Sequence, residues 1–175
     1  MRQNQGFTLI ELLMVVAIIG IIAAIAVPGL LRARVSAQEA AAVAGMRVVS
    51  SSEASYASSC GAGGYAIDLA DLAKPPPASL YAFISPDLSS NGITKSGYVF
   101  TLAKNGKPDT VDVVLATCNA AGATRASSFF ASAVPLIVGQ TGTRFFATDT
   151  PGTIFVDLAA PIANPIPLGT ATLQQ

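Results

Sequence analysis

Apolar side chains run almost unbroken from Phe7 to Val27, then thin to a stripe at every third or fourth position as far as Tyr56. In the first stretch only Thr8 and Glu11 are polar, with Gly20 as a weak point. Its 21 residues predict a helix about 31 Å long at 1.5 Å per residue, close to the hydrocarbon thickness of a bilayer. A helix apolar on every face is rarely buried inside a chain of this size, so a membrane setting is expected rather than a core helix. Pro28 removes one helical hydrogen bond and clashes with the preceding turn, which predicts a kink, local melting or simple termination at the membrane surface. Val27 before it is biased towards extended backbone, and Gly29 after it loosens the joint.

From Leu30 to Tyr56 the chain is Ala-rich and carries Arg32, Arg34, Glu39, Arg47 and Glu53. Leu31, Val35, Ala42, Met46, Val49 and Tyr56 recur at three- and four-residue steps or their sums, which marks one apolar face. No proline interrupts this run, and Gly45 is its only strong breaker. The pattern predicts one long helix from about Phe7 to Ser58, apolar all round in its first half and amphipathic in its second.

The remainder is rich in Gly, Ser, Thr and Pro and long enough for one small domain. Gly61, Gly63 and Gly64 end the helix, and Pro75-Pro76-Pro77 marks an extended surface loop. Tyr98 to Leu102 reads as a strand, and the Asn105-Gly106 turn signal predicts a hairpin with Val111 to Leu115. A second hairpin is expected between Arg144–Thr148 and Thr153–Leu158, across Asp149-Thr150-Pro151-Gly152. The economical architecture is α+β: a three- or four-stranded antiparallel sheet laid on the amphipathic half of the helix.

The junction at Gly6-Phe7-Thr8-Leu9-Ile10-Glu11 carries most information. A secretory signal is cut after its apolar stretch. Here the small residue precedes it, so a cut after Gly6 would leave the apolar segment in place behind a free Phe7 amine. Glu11 is costly in such a segment, about 2.5–3.5 kcal/mol on insertion scales. It is either close enough to the end to snorkel to the headgroups or waits for a cation. The Phe7 amine, with an unperturbed pKa of about 8, would supply one.

Gly6 to Leu13 resembles the GFTLIELL motif of the type IV pilin and pseudopilin family. The resemblance implies a leader over residues 1–6 and a membrane or filament-core helix over 7–28. The amphipathic half follows over 29–58 and a β-sheet head over 59–175. It implies cleavage between Gly6 and Phe7, N-methylation of Phe7 and pairing of Glu11 with a neighbouring subunit's N-terminal amine. A bend at Pro28 and Gly29 in the filament is implied as well, although Gly29 stands where the close subgroup has asparagine. The implied partners are other copies of the chain in a helical homopolymer, the prepilin peptidase and N-methyltransferase, an inner-membrane assembly platform, and membrane lipid before assembly. The head would lie outside a bacterial inner membrane before assembly, then in an extracellular pilus or a periplasmic pseudopilus. The charge rule does not help, because Arg32 and Arg34 follow the span while the leader side carries only Arg2. Thr94 to Phe100 and Arg144 to Asp149 look like segments of one bacterial subgroup of pilin-like proteins.

Cys60 and Cys118 are the only cysteines. An envelope or extracellular location permits a disulfide between them, which would staple helix to sheet; two separate buried thiols are the alternative. With no His and no Trp, the chain lacks a Ser-His-Asp triad and the commonest metal ligand and general base. The two distant cysteines make no zinc site, and Asp109 and Asp112 read as solvated charges rather than calcium ligands. Gly61 to Gly64 follows a helix, so it reads as a turn rather than a dinucleotide loop. No enzyme activity, metal or cofactor is expected. Net charge is zero with 11% charged residues, which offers nucleic acid no basic stripe. Stacked aromatics for conduction are absent too, since Phe7 and Tyr56 are the only aromatics on the long helix. The expected function is a structural subunit of a type IV pilus. The alternatives are a pseudopilin of a type II secretion system and a minor pilin. The clustered acidic residues of a calcium-bound pseudopilin head are missing. A membrane-tethered domain that never polymerises is disfavoured by Glu11, which a plain anchor does not need.

Overall fold

The computed structural model describes residues 6–77, 79–114, 116–120, 124–167 and 169, and the backbone of 172–173. Met1 to Gln5 of the expected leader and Leu115 of the first expected hairpin lie outside these residues. Helix α1 runs from Leu9 to Ser59, 51 residues and about 77 Å at 1.5 Å per residue. It passes through Pro28 and Gly29 without interruption. Its last turn closes when the amides of Cys60 and Gly61 both donate to the Tyr56 carbonyl and that of Gly63 donates to Ala57. Gly61 to Gly64 is therefore a turn.

Two short elements follow: α2 (Leu69–Ala73), capped by the Asp68 carboxylate, and a 3-10 turn (Pro86–Leu88). Eight strands come next: β1 (Ile93–Lys95), β2 (Tyr98–Lys104), β3 (Asp112–Val113), β4 (Arg125–Ala126), β5 (Phe129–Pro135), β6 (Phe145–Asp149), β7 (Ile154–Asp157) and β8 (Thr172–Leu173). Among the described residues, six form one antiparallel sheet in the order β1-β2-β5-β6-β7-β8, while β3 and β4 pair apart from it. The architecture is the expected α+β one, with a wider sheet.

The hairpin between Asp149 and Thr153 forms as expected, with β6 and β7 antiparallel and the Gly152 amide closing on the Asp149 carbonyl. The first expected hairpin does not form. β2 pairs with β1 on one side and β5 on the other, and Asp112-Val113 pairs with Arg125-Ala126. The Asn105-Gly106 signal is consumed otherwise. The buried Asn105 side chain donates to the Phe129 carbonyl and accepts from the Lys107 amide, while the Gly106 amide goes to Asn164. The chain thus does not fold back onto β2. The tight turn sits one strand earlier, at Ser96-Gly97, where φ is +50° and +79° and Lys95 faces Tyr98. Both positive angles suit the two-residue hairpin turn.

The core lies between the second half of α1 and one sheet face. Ala42, Met46, Val49 and Tyr56 of the helix meet Tyr98, Phe100 and Leu102 of β2 and Phe146 of β6. Gly45 belongs to this face because a Cβ there would stand 2.7 Å from the Phe100 ring. The stripe starts later than its periodicity suggests: Leu31 is exposed and Val35 only half-buried. On the opposite face Phe130 and Ala147 are covered by Ile162, so the central strand β6 is buried throughout. Cys60 and Cys118 form a disulfide, with Cα atoms 4.8 Å apart, that ties the end of α1 to the segment after β3.

Candidate assembly site

The first half of α1 has no partner within the described residues. Its most apolar 18-residue window has a mean hydropathy of 2.9 and is 0% buried, long and apolar enough to cross a membrane. Gly6, Phe7 and Thr8 precede the helix in non-helical, exposed backbone, and Phe7 is 84% exposed. The Gly6–Phe7 bond thus lies in exposed, non-helical backbone just before the Thr8 cap.

Thr8 caps the helix and engages Glu11 reciprocally. The Thr8 hydroxyl accepts from the Glu11 amide at 3.3 Å, while the Thr8 amide and hydroxyl donate to Glu11 Oε2 at 3.0 and 2.6 Å. This is a capping box, which satisfies two of the amides that a helix start leaves open. The Thr-x-x-Glu spacing is its sequence signature, a second role for Glu11 that reading the carboxylate only as a cation's partner overlooks. Among the described residues Glu11 Oε1 takes no hydrogen bond, so a further donor can be accommodated. Pro28 and Gly29 lie two-fifths of the way along the helix with nothing packed against Gly29.

Two glutamates of the amphipathic half are buried rather than solvated. Glu39 Oε1 accepts from the Thr143 amide and hydroxyl at 2.8 and 2.9 Å, and Oε2 accepts from Arg144 Nε at 2.7 Å. Burial pushes its pKa up, but the Thr143 amide and hydroxyl and the Arg144 guanidinium together outweigh that and hold it below the ordinary value. This clamp fixes α1 to the entry of β6. Glu53 is 0% exposed, and its Oε2 accepts one bond, from the Ala66 amide at 3.0 Å. Burial, aided by the charge of Asp71 and opposed by the Ala66 bond, raises it from an ordinary 4.5 to about 8. Both glutamates stand three or four residues from members of the apolar stripe (Ala42, Val49, Tyr56), which is the signal that places them on the buried face. The expected solvated charge of Asp112 is half-exposed and pairs with Lys104 at 2.5 Å.

Residues 1–27 match the family model described as the prokaryotic N-terminal methylation motif. The chain carries that motif. Glu11, its Thr8 cap and the exposed Gly6–Phe7 bond all fall inside it. The chain is similar to the type IV major pilin protein PilA of Myxococcus xanthus, 41% identical over 54 residues, which cover 31% of this chain and 24% of the relative. It is also similar to the type IV wide pilus major component PilA4 of Thermus thermophilus, 59% identical over 39 residues, 22% of this chain and 30% of the relative. The chain therefore spans only about a quarter to a third of the length of these curated relatives. No solved structure matches it.

Proposed function

We propose that the chain is a structural subunit of a type IV pilus. One observation carries this reading: an apolar helical segment with no intramolecular partner starts at Leu9, just after an exposed, non-helical Gly6–Phe7 bond, and bears one carboxylate, Glu11, in its first turn. A prepilin peptidase cuts after Gly6 and the new Phe7 amine is methylated. The span holds the subunit in the inner membrane with its head outside. An assembly platform then passes it into a helical homopolymer in which the apolar helices bundle and the heads coat them. Removing the leader creates a cation at Phe7 while Glu11 keeps Oε1 available, so the amine of one subunit docks on the carboxylate of the next. Attraction inside an apolar bundle is strong, and the desolvation that opposes it makes a misplaced subunit costly, which sets register. The methylation motif and the two pilin relatives support this reading.

Intact and peptide mass spectrometry on the sheared extracellular fraction of the native cells tests it. A chain that starts at N-methylated Phe7 and is abundant in that fraction is the expected result. The same processed chain confined to the membrane fraction would assign it to a secretion pseudopilus or a minor subunit. An uncut terminus would remove the reading altogether.

A further inference from the structure

The link between β5 and β6 sets three large apolar residues in a row, Leu136, Ile137 and Val138, at 54, 48 and 61% exposed. Its backbone is ordered by its own bonds. The Thr141 hydroxyl accepts from the Ile137 amide and donates to the Ile137 carbonyl, the Gly139 amide donates to Gly142, and that of Leu136 donates to Gly97. A braced loop that holds contiguous apolar side chains in water marks an interaction surface.

Its position says which surface. Gln140 and Thr141 of this loop face Leu31, Arg32, Arg34 and Val35 of α1 across a hollow of about 620 Å³. These helix residues directly follow the apolar span. With Val27 at the hydrocarbon edge, Arg32 and Arg34 stand about 7.5 and 10.5 Å further along the axis. The headgroup layer adds about 5–7 Å on each side of the hydrocarbon, and long arginine side chains reach back to it. A span tilt of about 20° would lower one side of the head further. Among the described residues neither guanidinium pairs with a carboxylate; the ion pairs are those of Lys95, Lys104, Lys107 and Arg144. Two cations without a carboxylate partner that directly follow the apolar span, facing a loop that carries three exposed apolar residues, match the chemistry of an interface carrying anionic headgroups.

We propose that, before assembly, this shoulder docks on the bilayer surface. Arg32 and Arg34 take the phosphates of anionic phospholipid, and Leu136 to Val138 enter the boundary between headgroups and acyl chains. The proposal rests on the reading of Phe7 to Val27 as a membrane span. Because the Glu39 clamp fixes the head to α1, docking also sets the rotation of the helix about its own axis, and therefore the direction in which Glu11 points. Entry into a filament breaks the contact.

The chain has no tryptophan, so single reporters can be introduced into the full-length protein. Each is reconstituted in vesicles of phosphatidylcholine, with or without phosphatidylglycerol, that contain brominated acyl chains. Ile137→Trp is expected to emit to the blue and be quenched when phosphatidylglycerol is present. Adding Arg32→Gln and Arg34→Gln should lower its docked-to-free ratio roughly thirtyfold. Val16→Trp, inside the span, should be quenched in every vesicle. Leu80→Trp should not be, since Leu80 is 95% exposed and lies near Phe83, whose carbonyl meets Ser52 far along α1. An unquenched Ile137→Trp beside a quenched Val16→Trp would overturn the docking proposal alone. If Val16→Trp is also unquenched, the membrane reading beneath it fails. Quenching that is equal without phosphatidylglycerol would overturn the headgroup assignment. Shielding of Ile137→Trp only after filaments form would give the surface to a neighbouring subunit instead.

Discussion

At the scale of the residue, Glu11 and Gly45 show how one position answers to two demands. Glu11 completes the capping box with Thr8 and still leaves an oxygen for a second donor. Glu11→Ala is expected to abolish filaments while the processed chain still inserts in the membrane, because the apolar length of the span is unchanged. Electron microscopy of sheared material together with membrane fractionation checks this, and normal filaments would remove the pairing mechanism. Gly45 reads in the sequence as the only strong breaker of the amphipathic half. The structure makes it a required gap, since a Cβ would meet the Phe100 ring at 2.7 and 2.8 Å. Gly45→Ala gains about 1 kcal/mol of helix propensity but overpacks the contact by about 1–3 kcal/mol. The expected outcome is a lower melting temperature despite the better helix former, measured by circular dichroism at 222 nm.

At the scale of the element, α1 is two helices in one. Its first half has no partner among the described residues, while its second half packs on the sheet. Two devices secure that second half: the Glu39 clamp to Thr143 and Arg144, and the disulfide at its C-terminal end. The bridge closes a sequence separation of 58 residues. Loop-entropy reasoning gives it about 4 kcal/mol as an upper figure. The double variant Cys60→Ser and Cys118→Ser should therefore unfold at lower denaturant concentration with its sheet signal otherwise intact. An unchanged midpoint would mean that the bridge adds nothing beyond existing packing. The hairpin between β6 and β7 was legible because Asp149 to Gly152 is a local turn. The Asn105-Gly106 signal misled because Ser128, Phe129 and Asn164, all distant in sequence, compete for the same backbone and side-chain groups.

At the scale of the molecule, burial gives the fold a pH dependence that net charge does not reveal. Glu53 is protonated in the folded chain up to about pH 8 but ionises near its ordinary 4.5 once unfolded. Between these values the folded state holds more protons, so stability falls as pH rises from about 4.5 to about 8 and levels off above. Glu39 works in the opposite sense: its lowered value adds stability above the ordinary carboxylate range, which is lost as pH falls through the folded value. Above about pH 5 the Glu53 contribution dominates. Glu53→Gln should flatten the decline and raise stability at neutral pH by up to a few kcal/mol. Thermal melts of both proteins from pH 5 to 9 decide it; parallel curves would mean that the burial cost lies elsewhere.

Local signals in the chain were enough for the long helix, the α+β class and the residues of the methylation motif. Each follows from a pattern within a few positions: continuous apolar length, a three-to-four-residue stripe, or a short motif around one carboxylate. Packing in three dimensions settled that β2 lies between β1 and β5, that Gly45 makes room for Phe100, and that the two cysteines meet. It also decided that two glutamates of the helix are buried, one clamped and the other nearly unpartnered. These depend on which distant groups reach the same space. Local spacing names the candidates for a buried face, while packing across the sheet selects their partners.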